Sequence, residues 1–210
     1  MDVKEAYNEW AGQYDSNQNK TRDLEAMALR ALLETIAFKT CLEIGCGTGK
    51  NTGYLASRAT EVLAIDFSDE MLARARNKIV NQNLRFRKAD ITRPWDFAGR
   101  QFDLISFSLV LEHIEDLDHI FREAARKTTP GGYVYLGELH PFKQYLGTKA
   151  RFETDIGTHV VTCFDHHLSD FTQAAIMNGF SIVRVSEFFD NDNRSGIPRI
   201  LALLFTKDTN

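Results

Sequence analysis

From residue 40 onward the chain alternates between two hydrophobic periods. The apolar runs TCLEI, EVLAID, LRFRKA and FDLISF begin at residues 40, 61, 84 and 102, are short, and predict strands. Helical spacing fills the gaps. Ser68 caps a stretch in which Met71, Leu72, Ala75 and Ile79 share one face, and a second helix runs through Asp118 to Lys127. Pro130-Gly131-Gly132 predicts a turn into a further strand over residues 133–139. Strands alternating with helices imply a parallel sheet joined by right-handed crossovers. A last helix over residues 169–178 is closed by Gly179, and strands at 181–188 and 199–206 flank the turn-rich DNDNRSGIP. So short a connection permits only antiparallel pairing.

Two segments break this rhythm. Ahead of the first strand, Tyr7, Trp10, Ala11 and Tyr14 recur at helical spacing, and SNQNKTRD interrupts them. Leu24, Ala28, Ala31, Leu32 and Thr35 then resume the pattern, with Thr21 or Asp23 as the expected cap. Residues 142–167 carry aromatics, histidines and glycines without a long helical period. An ordered excursion of that length usually serves function.

Composition narrows the class. A chain of 210 residues, 43% hydrophobic, suits one globular domain. Its net charge is −4, with lysines and arginines scattered among acids, so no basic field favours nucleic acid or an anionic membrane. The start, MDVKEAYNEW, is charged and amphipathic, and no apolar run reaches spanning length, so a cytoplasmic protein is expected, monomer or homodimer. Cys41, Cys46 and Cys163 show no metal-like pairing and suit a reducing compartment. A zinc site from His140, His159, Asp165 and His166 lacks ligand spacing, and no metal is expected.

The chemistry centres on residues 40–52, TCLEIGCGTGKNT. A strand ends in three alternating glycines, Gly45, Gly47 and Gly49, ahead of a helix. Such a turn brings backbone N–H groups close to a ligand, because glycine accepts positive φ and has no side chain in the way. The dinucleotide fingerprint G-x-G-x-x-G is not met, since its third glycine falls at Lys50. About 20 residues on, the next strand ends in Asp66, placed to accept hydrogen bonds from a ribose diol. The strand after it ends at Asp90, again an acid at the carboxyl edge where open α/β sheets bind ligands.

The order Glu43-x-Gly45-x-Gly47-x-Gly49, then Asp66 and Asp90, resembles the class I S-adenosylmethionine (SAM) methyltransferases. The resemblance covers residues 40–139 and the terminal hairpin. It implies an α/β fold, a Rossmann-like open and mostly parallel seven-stranded sheet with helices on both faces and a C-terminal antiparallel hairpin. It also implies a parse of residues 1–39 as a helical lid, 40–139 as the SAM-binding core, 140–168 as an acceptor-side cap, and 169–210 as helix and hairpin. By the same resemblance Gly45 and Gly47 approach the cofactor, with Cys46 and Gly49 in the same turn. Asp66 holds the ribose with Phe67 and Met71 beside it, Asp90 and the Ile91 backbone take the adenine, and Ser108 underlies the methionine moiety. Glu43 orients the turn, Arg22 offers a planar fork to the methionine carboxylate, and the Tyr14-Asp15 pair matches a segment that folds over the cofactor in relatives.

Transfer from a sulfonium is an in-line displacement, so orientation and water exclusion supply much of the rate. A base matters only when the acceptor is a hydroxyl or a protonated amine. His140, ending the fifth strand, and His113, in the Glu112-His113 pair after the fourth, are the expected candidates. His113 also counts among the residues expected at the cofactor. Phe142, Tyr145 and Arg151 are expected to line the acceptor pocket. Ser108-Leu109-Val110-Leu111 replaces the Asn/Asp-Pro-Pro-aromatic motif of nucleic-acid and glutamine amino-methyltransferases, which points to a small-molecule acceptor, most readily a hydroxyl or carboxylate oxygen. The alternatives are N- or C-methylation of a small molecule, or a non-enzymatic SAM sensor.

Overall fold

The computed structural model describes residues 3–12, 14, 19–154 and 157–209. Five strands carry the parallel part of the main sheet: β1 (Thr40–Ile44), β2 (Glu61–Asp66), β3 (Leu84–Lys88), β4 (Phe102–Ser108) and β5 (Thr128–Leu139). The connections are α3 (Thr52–Arg58), α4 (Asp69–Lys78) and α5 (Leu117–Lys127), preceded by α1 (Val3–Trp10) and α2 (Lys20–Leu33). After β5 come α6 (Pro141–Tyr145), a small hairpin β6 (Arg151–Thr154) and β7 (Gly157–Val160), α7 (Leu168–Met177), β8 (Phe180–Phe188) and β9 (Ile200–Lys207).

The seven-stranded sheet has the order β3-β2-β1-β4-β5-β9-β8, and β9 runs antiparallel to both its neighbours. This is the expected Rossmann-like sheet with its antiparallel closing hairpin. β9 shows why such strands read as continuous apolar runs. Leu201, Leu203 and Phe205 enter the core on one face, Ile200, Ala202 and Leu204 the core on the other, and all are buried. The first core is filled from α5 and α7 by Ile120, Phe121 and Phe171. The second is filled from α2, α3 and α4 by Leu29, Leu55 and Leu72.

Some boundaries differ from those expected. Asn19, not Thr21 or Asp23, caps α2, its side-chain oxygen accepting from the N–H groups of Thr21 and Arg22 at 3.0 and 3.1 Å. β5 begins ahead of Pro130-Gly131-Gly132 and absorbs the tripeptide as an irregularity: pairing with β4 shifts register between Phe102 and Leu104, and Gly131 takes φ 72°. The excursion after β5 is short helix plus hairpin, and it is tied back to the loop after β4. Phe164 N–H donates to the Glu112 carbonyl at 2.8 Å, and the His166 ring bonds the Ile114 carbonyl at 2.7 Å. Ala6 and Trp10 of α1 form a small separate core with Val161 of this excursion, with Tyr7, Tyr14 and Ala150 packed around it. Among the described residues no helix is long and apolar enough to cross a membrane.

Candidate functional site

Because β1 lies between β2 and β4, the chain leaves β1 on one side and β4 on the other, and a crevice opens at their carboxyl ends. A cavity of about 390 Å³ occupies it. Its floor is the glycine turn: Gly45 and Gly47 adopt φ 66° and 54°, a region open to few other residues. A Cβ at Gly47 would meet no atom within 4 Å, so its missing side chain leaves room for a ligand. Asp66 stands at the wall, 7% exposed, its carboxylate accepting from Gly47 N–H at 2.9 Å and Ser68 N–H at 2.8 Å. Burial pushes that carboxyl up to about 6 against the pull of those bonds. Phe67, Asp90, Ile91 and Thr92 continue the wall. Asp90 is exposed and turns one oxygen to Thr92 N–H and hydroxyl at 2.9 and 2.7 Å. The roof comes from the N-terminal segment through Val3, Tyr7 and Tyr14.

A smaller cavity of about 50 Å³ adjoins the first, sharing Tyr14, Gly45, Gly47, Ser108 and Leu109 with it. Leu109 is a non-glycine residue at φ 57°, locally strained, with its N–H fixed to the Gly137 carbonyl at 2.8 Å. Arg22, Glu25, Glu43, Cys46 and Asn51 complete the lining with Thr48 and Lys50. The Arg22 guanidinium lies 3.9 Å from the Tyr14 ring centroid and donates to the Tyr14 carbonyl at 2.5 Å. Burial raises Glu43 to about 8 and Glu25 to about 7, the latter opposed by hydrogen bonds from Ser108, Asn51 and Tyr135.

The third feature is at the far wall. His113 closes a single turn of 3₁₀ helix, Leu111–His113, whose N–H groups at Val110 and Leu111 are held by the buried Glu138 carboxyl at 3.0 and 2.8 Å. The ring is clamped on both sides. Nδ1 faces the Thr162 carbonyl at 2.8 Å, which can only accept, so Nδ1 carries the proton. Nε2 is therefore the acceptor, and the Tyr7 hydroxyl donates to it at 2.8 Å. Burial holds His113 below the usual imidazole value, with the Thr162 carbonyl pulling it back, and holds Tyr7 well above the usual phenol value. Glu112, raised to about 7 by burial, has a carboxyl oxygen 3.8 Å from Nε2.

Several expected site residues lie elsewhere. His140 does not line either cavity: it caps α6, its Nδ1 accepting from Phe142 N–H at 3.2 Å while Nε2 donates to Glu187 at 3.0 Å. Both ring nitrogens are engaged, because the end of β5 beside β9 faces the closing hairpin and not the crevice. Phe142 and Tyr145 are about half exposed, Phe142 stacked on His140 and Tyr145 bonded to His167 at 2.6 Å, away from both cavities. Gly49 packs inward, where a Cβ would come within 2.6 Å of Ile79. Met71 is fully buried, its N–H held by Ser68 Oγ. The Arg151 side chain and Asp15 lie outside the described residues. Among the described residues no group of three His, Cys, Asp or Glu is placed to hold a metal. Tyr7, Glu25 and Asn51 are the side chains that residue-level reading passed over. Only the spacing of Tyr7 with Tyr14 signalled the first of them.

A parallel sheet closed by one antiparallel strand, with a glycine turn and acids at its carboxyl edge, defines the architecture of SAM-dependent methyltransferases. A family model for a methyltransferase domain matches residues 42–136. Phosphatidylethanolamine N-methyltransferase of Cereibacter sphaeroides is 30% identical over 75% of this chain and 80% of its own length. An uncharacterized methyltransferase of Emericella nidulans is 26% identical over 87% of this chain and 77% of its own. The chain spans 26% of the length of two longer plant relatives it matches. The solved DhpI–SAH complex overlays with a TM-score of 0.78 at 23% identity, covering 99% of this chain and 96% of that one. The chain belongs to the class I SAM-dependent methyltransferase family; it is a methyltransferase, and SAM is its cofactor.

The residues present fit that cofactor. The larger cavity offers open space over Gly47 and a buried carboxylate, and the smaller one holds two buried acceptor atoms without hydrogen-bond partners, Glu43 Oε2 and Asn51 Oδ1. Such orphan acceptors suit a ligand rich in N–H donors.

Proposed function

We propose that the enzyme methylates a hydroxyl oxygen of a small, largely apolar molecule. The observation that carries this reading is the Tyr7–His113 pair on the wall of the main cavity. SAM supplies a methyl group made electrophilic by the adjoining sulfonium. The chain's part is to hold the acceptor oxygen in line and to take its proton. Tyr7 accepts a hydrogen bond from the acceptor hydroxyl. In the displacement the acceptor oxygen would bond to the methyl carbon as the carbon–sulfur bond breaks and leaves its electron pair on a neutral thioether; the acceptor's proton would pass to Tyr7, and the Tyr7 proton to Nε2 of His113. The resulting imidazolium keeps its Nδ1–H on Thr162 and gains the Glu112 carboxyl as counter-charge.

Gly45, Gly47, Asp66, Phe67, Asp90 and Ile91 hold the nucleoside part of the cofactor in this reading, and Tyr14, Arg22, Glu43, Cys46 and Ser108 surround its amino-acid tail. Val3, Tyr7 and Tyr14 cover both, so α1 acts as a lid that excludes water. Val3, Tyr7, Val110 and Ile114 offer the acceptor an apolar wall, and no lysine or arginine lines the main cavity among the described residues. That composition favours a neutral acceptor over a carboxylate. The N-methyltransferase among the relatives supports a second reading, transfer to an amine, whose proton the same pair would take. Incubation of metabolite pools with methyl-labelled SAM, with products read by mass, tests both. Label on an oxygen of a neutral product is expected; label only on carboxylates or macromolecules would overturn the proposal.

A further inference from the structure

Glu25 is an acid in the wrong place for an ordinary amphipathic helix. It is 2% exposed and reaches from α2 into the smaller cavity. Its Oε2 accepts from Asn51 Nδ2 at 2.8 Å and its Oε1 from the Tyr135 hydroxyl at 3.0 Å. The sheet makes room for it: a Cβ on Gly137 would sit 2.7 Å from Glu25 Oε1 and 2.4 Å from the Tyr135 oxygen. Three elements therefore build a slot for one carboxyl, yet both these partners are neutral. A buried carboxylate held by neutral donors lacks a counter-charge in contact with it; Arg30 acts on it only at a distance, its guanidinium bonded to the Ala26 carbonyl and lying over Tyr54.

The neighbouring atoms state what is missing. Asn51 Oδ1 and Glu43 Oε2, each on a side chain 5% exposed, line the same cavity and have no hydrogen-bond partner. The unused capacity of these two atoms is acceptor capacity, beside a carboxyl. The group that answers it is a cation with several N–H donors and no acceptor, which describes an ammonium. Lysine does not supply it, since Lys50 pairs with Asp23 at the rim. The Arg22 guanidinium is turned onto Tyr14.

We propose that Glu25 is the counter-charge and orienting acceptor for the α-ammonium of the cofactor's amino-acid tail, with Asn51 Oδ1 and Glu43 Oε2 completing the cradle. Glu25 is then the residue that makes the enzyme select ligands with an intact tail over bare thionucleosides. Calorimetry on three ligands tests this: S-adenosylhomocysteine, its deaminated analogue with the carboxylate kept, and methylthioadenosine, which has no tail.

In the wild type, removing the amine is expected to weaken binding about 10- to 100-fold, the range of a hydrogen-bonded charge pair. Glu25→Gln is expected to lose a similar factor for S-adenosylhomocysteine and to bind the other two ligands as the wild type does. Retained methylthioadenosine binding also reports that the variant is folded. Equal loss for all three ligands would make Glu25 a structural residue only. Loss for both tailed ligands would move its action to the carboxylate end. Equal wild-type affinity for S-adenosylhomocysteine and its deaminated analogue would overturn the proposal without any variant.

Discussion

Tyr7→Phe removes one oxygen and leaves the ring among Trp10, Tyr14, Phe67 and His113, whose centroids lie 5.4 to 6.3 Å away. The structural cost is one neutral hydrogen bond and an imidazole nitrogen left without its donor, about 1–3 kcal/mol in total. At 210 residues each kcal/mol lowers Tm by about 2–4 °C, so the variant stays folded at assay temperature. The catalytic cost is larger. Loss of a positioned base typically lowers kcat about 100-fold or more, near 2.7 kcal/mol of barrier. With the acceptor identified, kcat is measured at saturating SAM, and S-adenosylhomocysteine affinity by calorimetry. We expect kcat to fall about 100-fold with cofactor affinity changed less than about threefold. His113→Asn should match it, and the double variant should be no slower than either single one, because a relay is lost once. A Tyr7→Phe enzyme within about threefold of wild type, or a double variant whose losses multiply, would refute the relay.

Asp66→Ala is expected to weaken SAM binding by about 1–3 kcal/mol, and unchanged affinity by calorimetry in a folded variant would remove Asp66 from the ribose. The ligand-free protein should also lose stability as pH rises. Glu25 and Glu112 are held at about 7, Glu43 and Glu138 at about 8 and Asp66 at about 6, burial being the first cause in each. Each folded value lies above its unfolded value near 4, so between them the native state holds protons that the unfolded chain has released, and stability falls with pH. Scanning fluorimetry should show Tm declining from about pH 5 to about pH 8, and a rising Tm would contradict the burial of these acids. Hydrogen exchange over residues 3–12 should slow when S-adenosylhomocysteine binds, and equal exchange would leave α1 as static packing.

Local pattern carried the sheet, since each strand and its following turn announce themselves within a dozen residues. The placement of Gly47, Asp66 and Asp90 around one cavity was legible for the same reason: strand ends in an open α/β sheet converge on one crevice whatever the rest of the chain does. Glu25 was not, because a single acid on an amphipathic helix reads as solvent-facing. The slot that takes it depends on Gly137 and Tyr135 in a distant strand. His140 was misplaced by the converse error. It does end a strand, but that strand pairs with β9, and its N–H bonds the Arg199 carbonyl, so its surroundings are the closing hairpin. Tyr7 sat inside an aromatic stripe whose spacing told of packing alone. Its hydroxyl became informative only when the chain brought His113 to it.

The small core of Ala6, Trp10 and Val161 has a kinetic consequence. With α1 as the lid proposed above, the helix that covers the cofactor also buttresses Val161 and Ala150 of the excursion beside His113. Exchange of cofactor would then lift α1 and dismantle the proposed acceptor wall in the same movement, because one set of side chains serves both. On that proposal turnover is expected to follow a compulsory order. SAM enters first, the acceptor finds a finished pocket second, the methylated product departs, and S-adenosylhomocysteine leaves last. The expected outcome in steady-state kinetics is product inhibition by S-adenosylhomocysteine that is competitive against SAM and noncompetitive against the acceptor.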